Sequence, residues 1–249
     1  MAKLKSLLKI EGTLDGMTFY KGKDGYLVRT KGGISKSRIE NDPAFIRTRE
    51  NGKEFGHSAT SGKQLRQALT GLLVDVKDGR MTPRLTQTMS KVKNQDLISA
   101  RGSRNVSEGL NSALGKAALK AFDFNSNAQL SAVLLSDFSF DTATGEFSIT
   151  NLIPNQQINY PGGATHLSIS SAVLNLDFNT NVKEIAIGNI VNIPINGSPT
   201  NVSSIPTALP TAGGSVFFLV KISFFQEVNN VQYPLNNGAY NVLKIIEIL

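Results

Sequence analysis

Residues 215–225 read Ser-Val-Phe-Phe-Leu-Val-Lys-Ile-Ser-Phe-Phe, an almost unbroken apolar run. It falls well short of the ~20 apolar residues of a membrane span. Its β-branched and aromatic content suits a buried strand at the centre of a sandwich. Strand signals continue on either side. Phe138 and Phe140 alternate with polar residues, Ala143-Thr144-Gly145 turns, and Phe147 and Ile149 alternate again, which predicts a hairpin. Leu167 and Ile169 alternate, but Leu174, Leu176 and Phe178 lie on the opposite parity, which predicts a bulge near Ala172-Val173. Ile185, Ile187, Val191, Ile193 and Ile195 follow. Residues 196–214, rich in Pro, Ser, Thr and Gly, predict a long loop. Asn229-Asn230 turns the central strand back, and Tyr240 to Leu249 forms the last strand. Residues 128–249 thus read as strands throughout. Six to eight of them predict an antiparallel β-sandwich of immunoglobulin-like type.

The preceding residues carry a different period. Asn41-Asp42-Pro43 is a helix start, a capping side chain followed by Pro. From there Phe55, Ala59, Gly62, Leu65, Leu69 and Leu73 fall near one helical face. Gly52, Gly56 and Gly62 predict either close helix packing or a break near Ser58–Ser61. Thr82-Pro83 starts a second helix carrying Leu85, Met89, Val92 and Leu97. Asn105 with Glu108 resembles a capping box and leads a third, with Leu110, Leu114, Ala118 and Phe122. Before these, Asp15-Gly16 and Asp24-Gly25 flank Met17–Tyr20 and Tyr26–Arg29, which predicts a two- or three-stranded opening unit. The fold class is α+β: residues 1–124 form a basic β-hairpin and three-helix module, and residues 125–249 form the sandwich domain.

Charge divides near the same place. The net charge is +7, yet residues 1–121 hold 23 of the 26 Lys and Arg and 11 of the 19 Asp and Glu, a net +12, whereas residues 122–249 hold 3 and 8, a net −5. Such asymmetry fits a positive half facing nucleic acid or an anionic surface, or complementary halves meeting in a head-to-tail assembly. It also fits an ordinary basic surface. The chain has no Cys, which excludes disulfides, thiol chemistry and Cys-based metal sites, and two His argue against a His-built metal centre. Lys9 interrupts the apolar stretch after Leu7-Leu8 and Glu11 follows, so no export signal is expected. The expected location is a virion or the cytoplasm.

Chemical motifs are poor. Gly56 to Gln64 looks like a phosphate-binding loop, but five residues separate its glycines where the motif has four, and Gln64 stands where Ser or Thr belongs. His57 and Ser58 are neighbours and point apart on a helix. Asp137 and Asp141 sit among Phe and Ser as solvated strand positions do. No catalytic residue, metal site or cofactor is expected. The basic side chains are the best functional signal. Lys21, Lys23, Arg29, Lys31, Lys36 and Arg38 decorate the hairpin and its exit, and Arg47, Arg49, Lys53, Lys63 and Arg66 lie on the first helix. Of these, Lys21, Lys23, Arg29, Arg47, Arg49, Lys53, Lys63 and Arg66 are candidates for nucleic-acid contact. Phe19, Tyr20 and Tyr26 are candidates for base stacking or for an assembly interface.

Ile10-Glu11-Gly12-Thr13-Leu14-Asp15-Gly16-Met17-Thr18-Phe19-Tyr20, followed by Asp24-Gly25-Tyr26-Leu27-Val28-Arg29, resembles the opening of a set of uncharacterised Bacteroidetes-type bacterial and phage-associated proteins. The resemblance covers about the first 50 residues and the layout. It implies an N-terminal Gly-rich β-hairpin, helices and a C-terminal sandwich, and it brings no enzymatic activity. The expected function is a non-enzymatic structural subunit of a large assembly, a phage virion or a phage-like particle or filament. Its partners would be copies of itself and other assembly proteins. The alternative is a nucleic-acid-binding protein using the basic module.

Overall fold

The computed structural model describes residues 2–3, 9–30, 32–211 and 213–249. The apolar stretch at residues 4–8 and Lys31 therefore lie outside the described residues. The chain divides into two compact units, Met1–Arg49 and Glu50–Leu249.

The first unit holds β1 (Ala2–Lys3), β2 (Gly12–Leu14), β3 (Met17–Gly22) and β4 (Gly25–Thr30), antiparallel in the order β1-β4-β3-β2. The sheet thus has one strand more than the sequence suggests. Lys23-Asp24 closes a two-residue turn between the paired Gly22 and Gly25. Asp15-Gly16 closes another with φ of 46° and 77°, the left-handed pair that hairpin twist favours. Next comes α1 (Lys36–Asn41), capped by Ser35. The Asp42 carboxylate accepts from the Ala44 N–H at 2.9 Å, and Pro43 opens a 3₁₀ turn that runs into α2 (Ile46–Ala68). No described residue of this unit is buried.

In the second unit α2 continues without a break. Ser58 and Ser61 are buried, and their hydroxyls donate back to the carbonyls of Glu54 and His57, both at 3.0 Å. That satisfies them inside the helix. Gly62 lies against the Leu85 and Met89 side chains, where a Cβ would sit 3.6 Å from Leu85. Phe55 is 62% exposed, so the core face runs through Ser58, Gly62, Leu65 and Leu69 instead. α3 (Thr70–Leu73) and α4 (Met81–Lys93) follow; Leu97 lies beyond α4 and is exposed.

The expected third helix is two: α5 (Val106–Leu110) and α6 (Ala113–Lys120). Ser112 breaks it by capping α6, accepting from the Gly115 N–H at 2.9 Å. Asn105 caps α5 as expected, accepting from the Glu108 N–H at 2.8 Å. The reciprocal half of the box is absent, because Asp96 rather than Glu108 takes the Asn105 N–H. Two glycines permit this crowding. A Cβ on Gly109 would lie 2.1 Å from the Val92 carbonyl oxygen, and one on Gly115 would lie 1.9 Å from that of Gly109.

Residues 128–249 are not strands throughout: α7 (Leu130–Val133) and α8 (Pro154–Gln157) interrupt them. The strands are β5 (Ser139–Asp141), β6 (Glu146–Leu152), β7 (His166–Leu176), β8 (Lys183–Ile187), β9 (Val191–Pro194), β10 (Thr200–Ser204), β11 (Ser215–Val228), β12 (Val231–Pro234) and β13 (Val242–Ile248). β10 lies inside the expected long loop. It joins a three-stranded antiparallel sheet, β10-β6-β5. The other six strands form a second sheet around β11 and β7, with β12 and β13 along the far side of β11, and β8 and β9 along the far side of β7.

Both faces of this larger sheet are covered. Phe217 and Leu219 of β11, with Leu174 and Leu176 of β7, join Leu65, Leu69, Leu85, Met89, Leu110 and Leu119 in a core under the helices. Val220, Ile222 and Phe224, with Leu167 and Ile169, join Phe147, Ile149, Leu152 and Val202 of the small sheet. This explains the parity change in β7. It pairs with β11 residue for residue from His166–Phe225 to Leu176–Ser215, with no slip at Ala172-Val173. The expected bulge is absent because each end of one regular strand buries a different face. Position 124, where composition changes, lies inside this unit: Phe124 is fully buried, and Arg84 of α4 donates to the carbonyls of Asp123 and Phe124 at 2.9 and 3.3 Å.

Turn chemistry is repeated. In both Asp141–Gly145 and Asp177–Asn181 the aspartate accepts from a Thr hydroxyl three residues on, at 2.8 and 2.6 Å, and the fifth residue has positive φ. Asn229 and Asn230 turn β11 into β12 with φ of 52° and 61°.

Glycine substitutions test this packing in opposite directions. Gly109→Ala is expected to cost about 3 kcal/mol in urea unfolding, since backbone has to move. Gly56→Ala, in open space on α2, is expected to stabilise by about 0.5–1 kcal/mol.

Candidate functional site

The structure distributes the basic candidates over both units. In the first unit Lys21 and Lys23 are exposed near the β3–β4 turn, and Arg29 is exposed on β4. Pairing sorts the aromatics by face. Phe19 lies opposite Val28 and Lys21 opposite Tyr26, so Phe19, Lys21, Tyr26 and Val28 share one face with Leu14 and Met17. Tyr20 and Arg29 lie on the other, with the guanidinium 5.5 Å from the ring centre. Tyr26 has the ammonium groups of Lys9 and Lys21 within 5.7 and 6.0 Å of its ring centre. These distances are within cation–π range. Phe19, Tyr20 and Tyr26 are all half-buried.

Arg47 is exposed at the start of α2. Arg49 is committed to structure, donating to the carbonyls of Ile39 at 2.7 Å and Asp42 at 3.0 Å. In the second unit Lys63 is exposed and Arg66 is half-buried. Lys53 borders a small cleft of about 110 Å³ with Glu54, His57, Gly102, Ser103 and Arg104.

Beneath that cleft lies a buried polar knot that the sequence did not reveal. The Lys93 ammonium of α4 meets the Glu54 carboxylate of α2 at 2.5 Å, and both side chains are nearly fully buried. The other Glu54 oxygen accepts from the Gly102 N–H at 2.8 Å. Burial pushes the Glu54 carboxyl up, but Lys93 and the Gly102 N–H outweigh it and the net shift is downward. His57 Nε2 accepts from the Val106 N–H at 3.0 Å and lies 3.3 Å from the Ser61 hydroxyl. Burial and the charge of Lys93 push its pKa down, which keeps the ring neutral and accepting. Asp96 is fully buried. Burial raises its carboxyl, while the N–H groups of Ser99, Asn105 and Ile98 draw it down to about 2. The only sequence signal for this knot is a pair of opposite charges, Glu54 and Lys93, on the core side of two helices.

His166 lies 3.5 Å from the Glu227 carboxylate and 3.1 Å from the Thr165 hydroxyl. Among the described residues no group of three or more His, Cys, Asp or Glu is placed to hold a metal ion, and no helix is long and apolar enough to cross a membrane.

A second exposed feature is the outer edge of β8, which pairs with no further strand among the described residues. Ile185 and Ile187 of β8 are 37% and 46% exposed, and Val182 just before the strand is 53% exposed. Free apolar edges invite further pairing.

Comparison with family models, with curated proteins and with solved structures gave no match in any of the three.

Asp96 generates a pH prediction. Its carboxyl binds a proton near 3.8 when unfolded and near 2 when folded. Its contribution is therefore present above pH 3.8 and is lost as pH falls toward 2. The stability difference between wild type and Asp96→Asn, measured by urea unfolding, is expected to shrink across that interval. A difference that stays constant over it contradicts the assignment.

Proposed function

We propose that this chain is a non-enzymatic structural subunit of a large protein assembly, a phage virion or a phage-like particle or filament. The observation that carries the reading is the N-terminal sheet. β2 and β3 expose apolar side chains, Leu14 at 58% and Met17 at 45%, and no described side chain of the sheet is buried. A small sheet without a covered face is marginal alone in water. The face holding Leu14, Met17, Phe19, Tyr26 and Val28 gains a covering layer when another copy docks on it. The outer edge of β8, which pairs with no further strand among the described residues, supports strand addition as a second contact. Charge complementarity contributes less. Several acids of the acidic half are engaged at home: Asp141 and Asp177 in turns, Asp123 with Lys244 at 3.1 Å, and Glu247 with Lys120 at 2.8 Å.

The immunoglobulin-like reading of the two facing sheets belongs to the same proposal. Their antiparallel pairing and shared apolar layer support it. The proposed location is the particle or the cytoplasm.

Nucleic-acid binding is the competing function. Its support is the net +12 of residues 1–121 and the flanking of Tyr26 by Lys9 and Lys21.

Light scattering of the pure protein, with and without nuclease, separates the two readings. The assembly reading expects large uniform species that survive nuclease and are reduced to monomer by Phe19→Glu. A monomer at every concentration and salt contradicts it. Growth only on adding DNA or RNA, weakened steeply by salt, transfers the function to the basic residues.

A further inference from the structure

Four exposed hydrogen-bonding side chains line a cavity of about 220 Å³ in the second unit, and one of them, Asn159, donates to the Ala132 carbonyl at 3.3 Å. Tyr160 and Tyr240 border it, Asn127 and Asn159 supply carboxamides, and Val133 and Phe224 contribute apolar surface. No charged side chain lines it. The Tyr160 and Tyr240 hydroxyls and the Asn127 carboxamide carry no hydrogen bond among the described residues.

The lining is held rigidly from behind. Asn125, fully buried, donates its Nδ2 to the carbonyls of Ala239 and Asn241, both at 2.9 Å, and so clamps the backbone on either side of Tyr240. The Oδ1 of the same side chain accepts from the Asn127 N–H at 3.0 Å. The Asn241 side chain accepts from the Phe224 N–H at 3.0 Å and donates to the Asp75 carbonyl at 2.9 Å. On the opposite wall the Asn159 N–H donates to the Val133 carbonyl at 2.8 Å, which fixes the residue before Tyr160. One buried asparagine thus organises one aromatic wall and one polar corner. Such preorganisation lowers the ordering cost of binding a small ligand.

The chemistry of the lining selects the ligand. A charged ligand would be desolvated with no counter-charge. A purely aliphatic one would leave two phenols and a carboxamide unpaired. Phenol and carboxamide both donate and accept, as hydroxyl groups require, and aromatic faces accept apolar C–H surface. The volume is below the ~300–1,000 Å³ of drug-sized sites. We propose that this cavity binds one ring of a neutral saccharide between Tyr160 and Tyr240, with Asn127 and Asn159 taking its hydroxyls and Asn125 as the positioning residue. The site goes beyond the assembly role and uses none of its residues, so either proposal can fail without the other.

Saturation-transfer NMR on the intact protein tests it. The probes are glucose, galactose, mannose and N-acetylglucosamine at about 10 mM, enough to load a millimolar site, with glucuronate and adenosine as controls. The expected result is transfer to the ring C–H protons of at least one neutral sugar and none to glucuronate or adenosine. Tyr240→Ala and Tyr160→Ala, both at partly exposed positions, are each expected to weaken binding about fivefold or more, and Asn125→Ala to weaken it with both tyrosines present. No transfer to any neutral sugar overturns the proposal. So does transfer that both tyrosine variants leave unchanged, or binding of adenosine or glucuronate in place of sugar.

Discussion

An apolar sheet face has to be covered, and the structure turns on how each unit meets that demand. In the larger unit β11 carries apolar residues at both parities, so neither face can be left to water. The helices cover one face through Phe217 and Leu219, and the three-stranded sheet covers the other through Val220, Ile222 and Phe224. Helix packing, the Gly109 and Gly115 contacts and the buried Glu54–Lys93 pair all serve that layer. The small N-terminal sheet has the same kind of apolar content and no buried side chain among the described residues. The assembly proposal rests on that contrast.

Polar groups fasten the layers where apolar contact alone would let them slide. The Asp75 carboxylate meets the Lys221 ammonium of β11 and accepts from the Ser223 hydroxyl at 3.0 Å, joining the segment before α4 to the central strand. Asp78 accepts from the Ser126 N–H at 3.1 Å and from Arg84 at 2.5 Å; burial raises its carboxyl, and these bonds with that from Arg80 lower it to about 2. Removing one partner of such a knot costs more than the bond itself is worth, because the other is left buried and unpaired. These residues are therefore expected to matter for folding rather than for recognition.

Much of this was legible in the sequence where local chemistry decides the outcome. The central strand, the hairpin around Ala143-Thr144-Gly145, the Asn229-Asn230 turn and the Asp42-Pro43 start each depend on a few adjacent residues. The misses share another cause. Ser112 breaks a helix whose period runs straight through it. β10 is Thr-Asn-Val-Ser-Ser and looks like loop until β6 offers it a ladder. The parity change in β7 imitates a bulge because two layers claim opposite faces of one strand. Phe55 reads as core and lies exposed because α2 turns Ser58, Gly62 and Leu65 inward, with Gly62 against the Leu85 and Met89 side chains. The basic candidates were legible as residues, but Arg49 is engaged with the carbonyls of Ile39 and Asp42. The cavity between Tyr160 and Tyr240 joins residues 80 positions apart, a separation that no local pattern records.

The central claim is that the N-terminal sheet acquires its cover from another copy. Hydrogen exchange of the backbone amides of β3 and β4, followed over a dilution series, tests it most directly. The account predicts that amides from Phe19 to Val28 exchange quickly in dilute protein and become protected as concentration rises, while those of β11 stay protected throughout. Protection of residues 19–28 that is high and independent of concentration would contradict it.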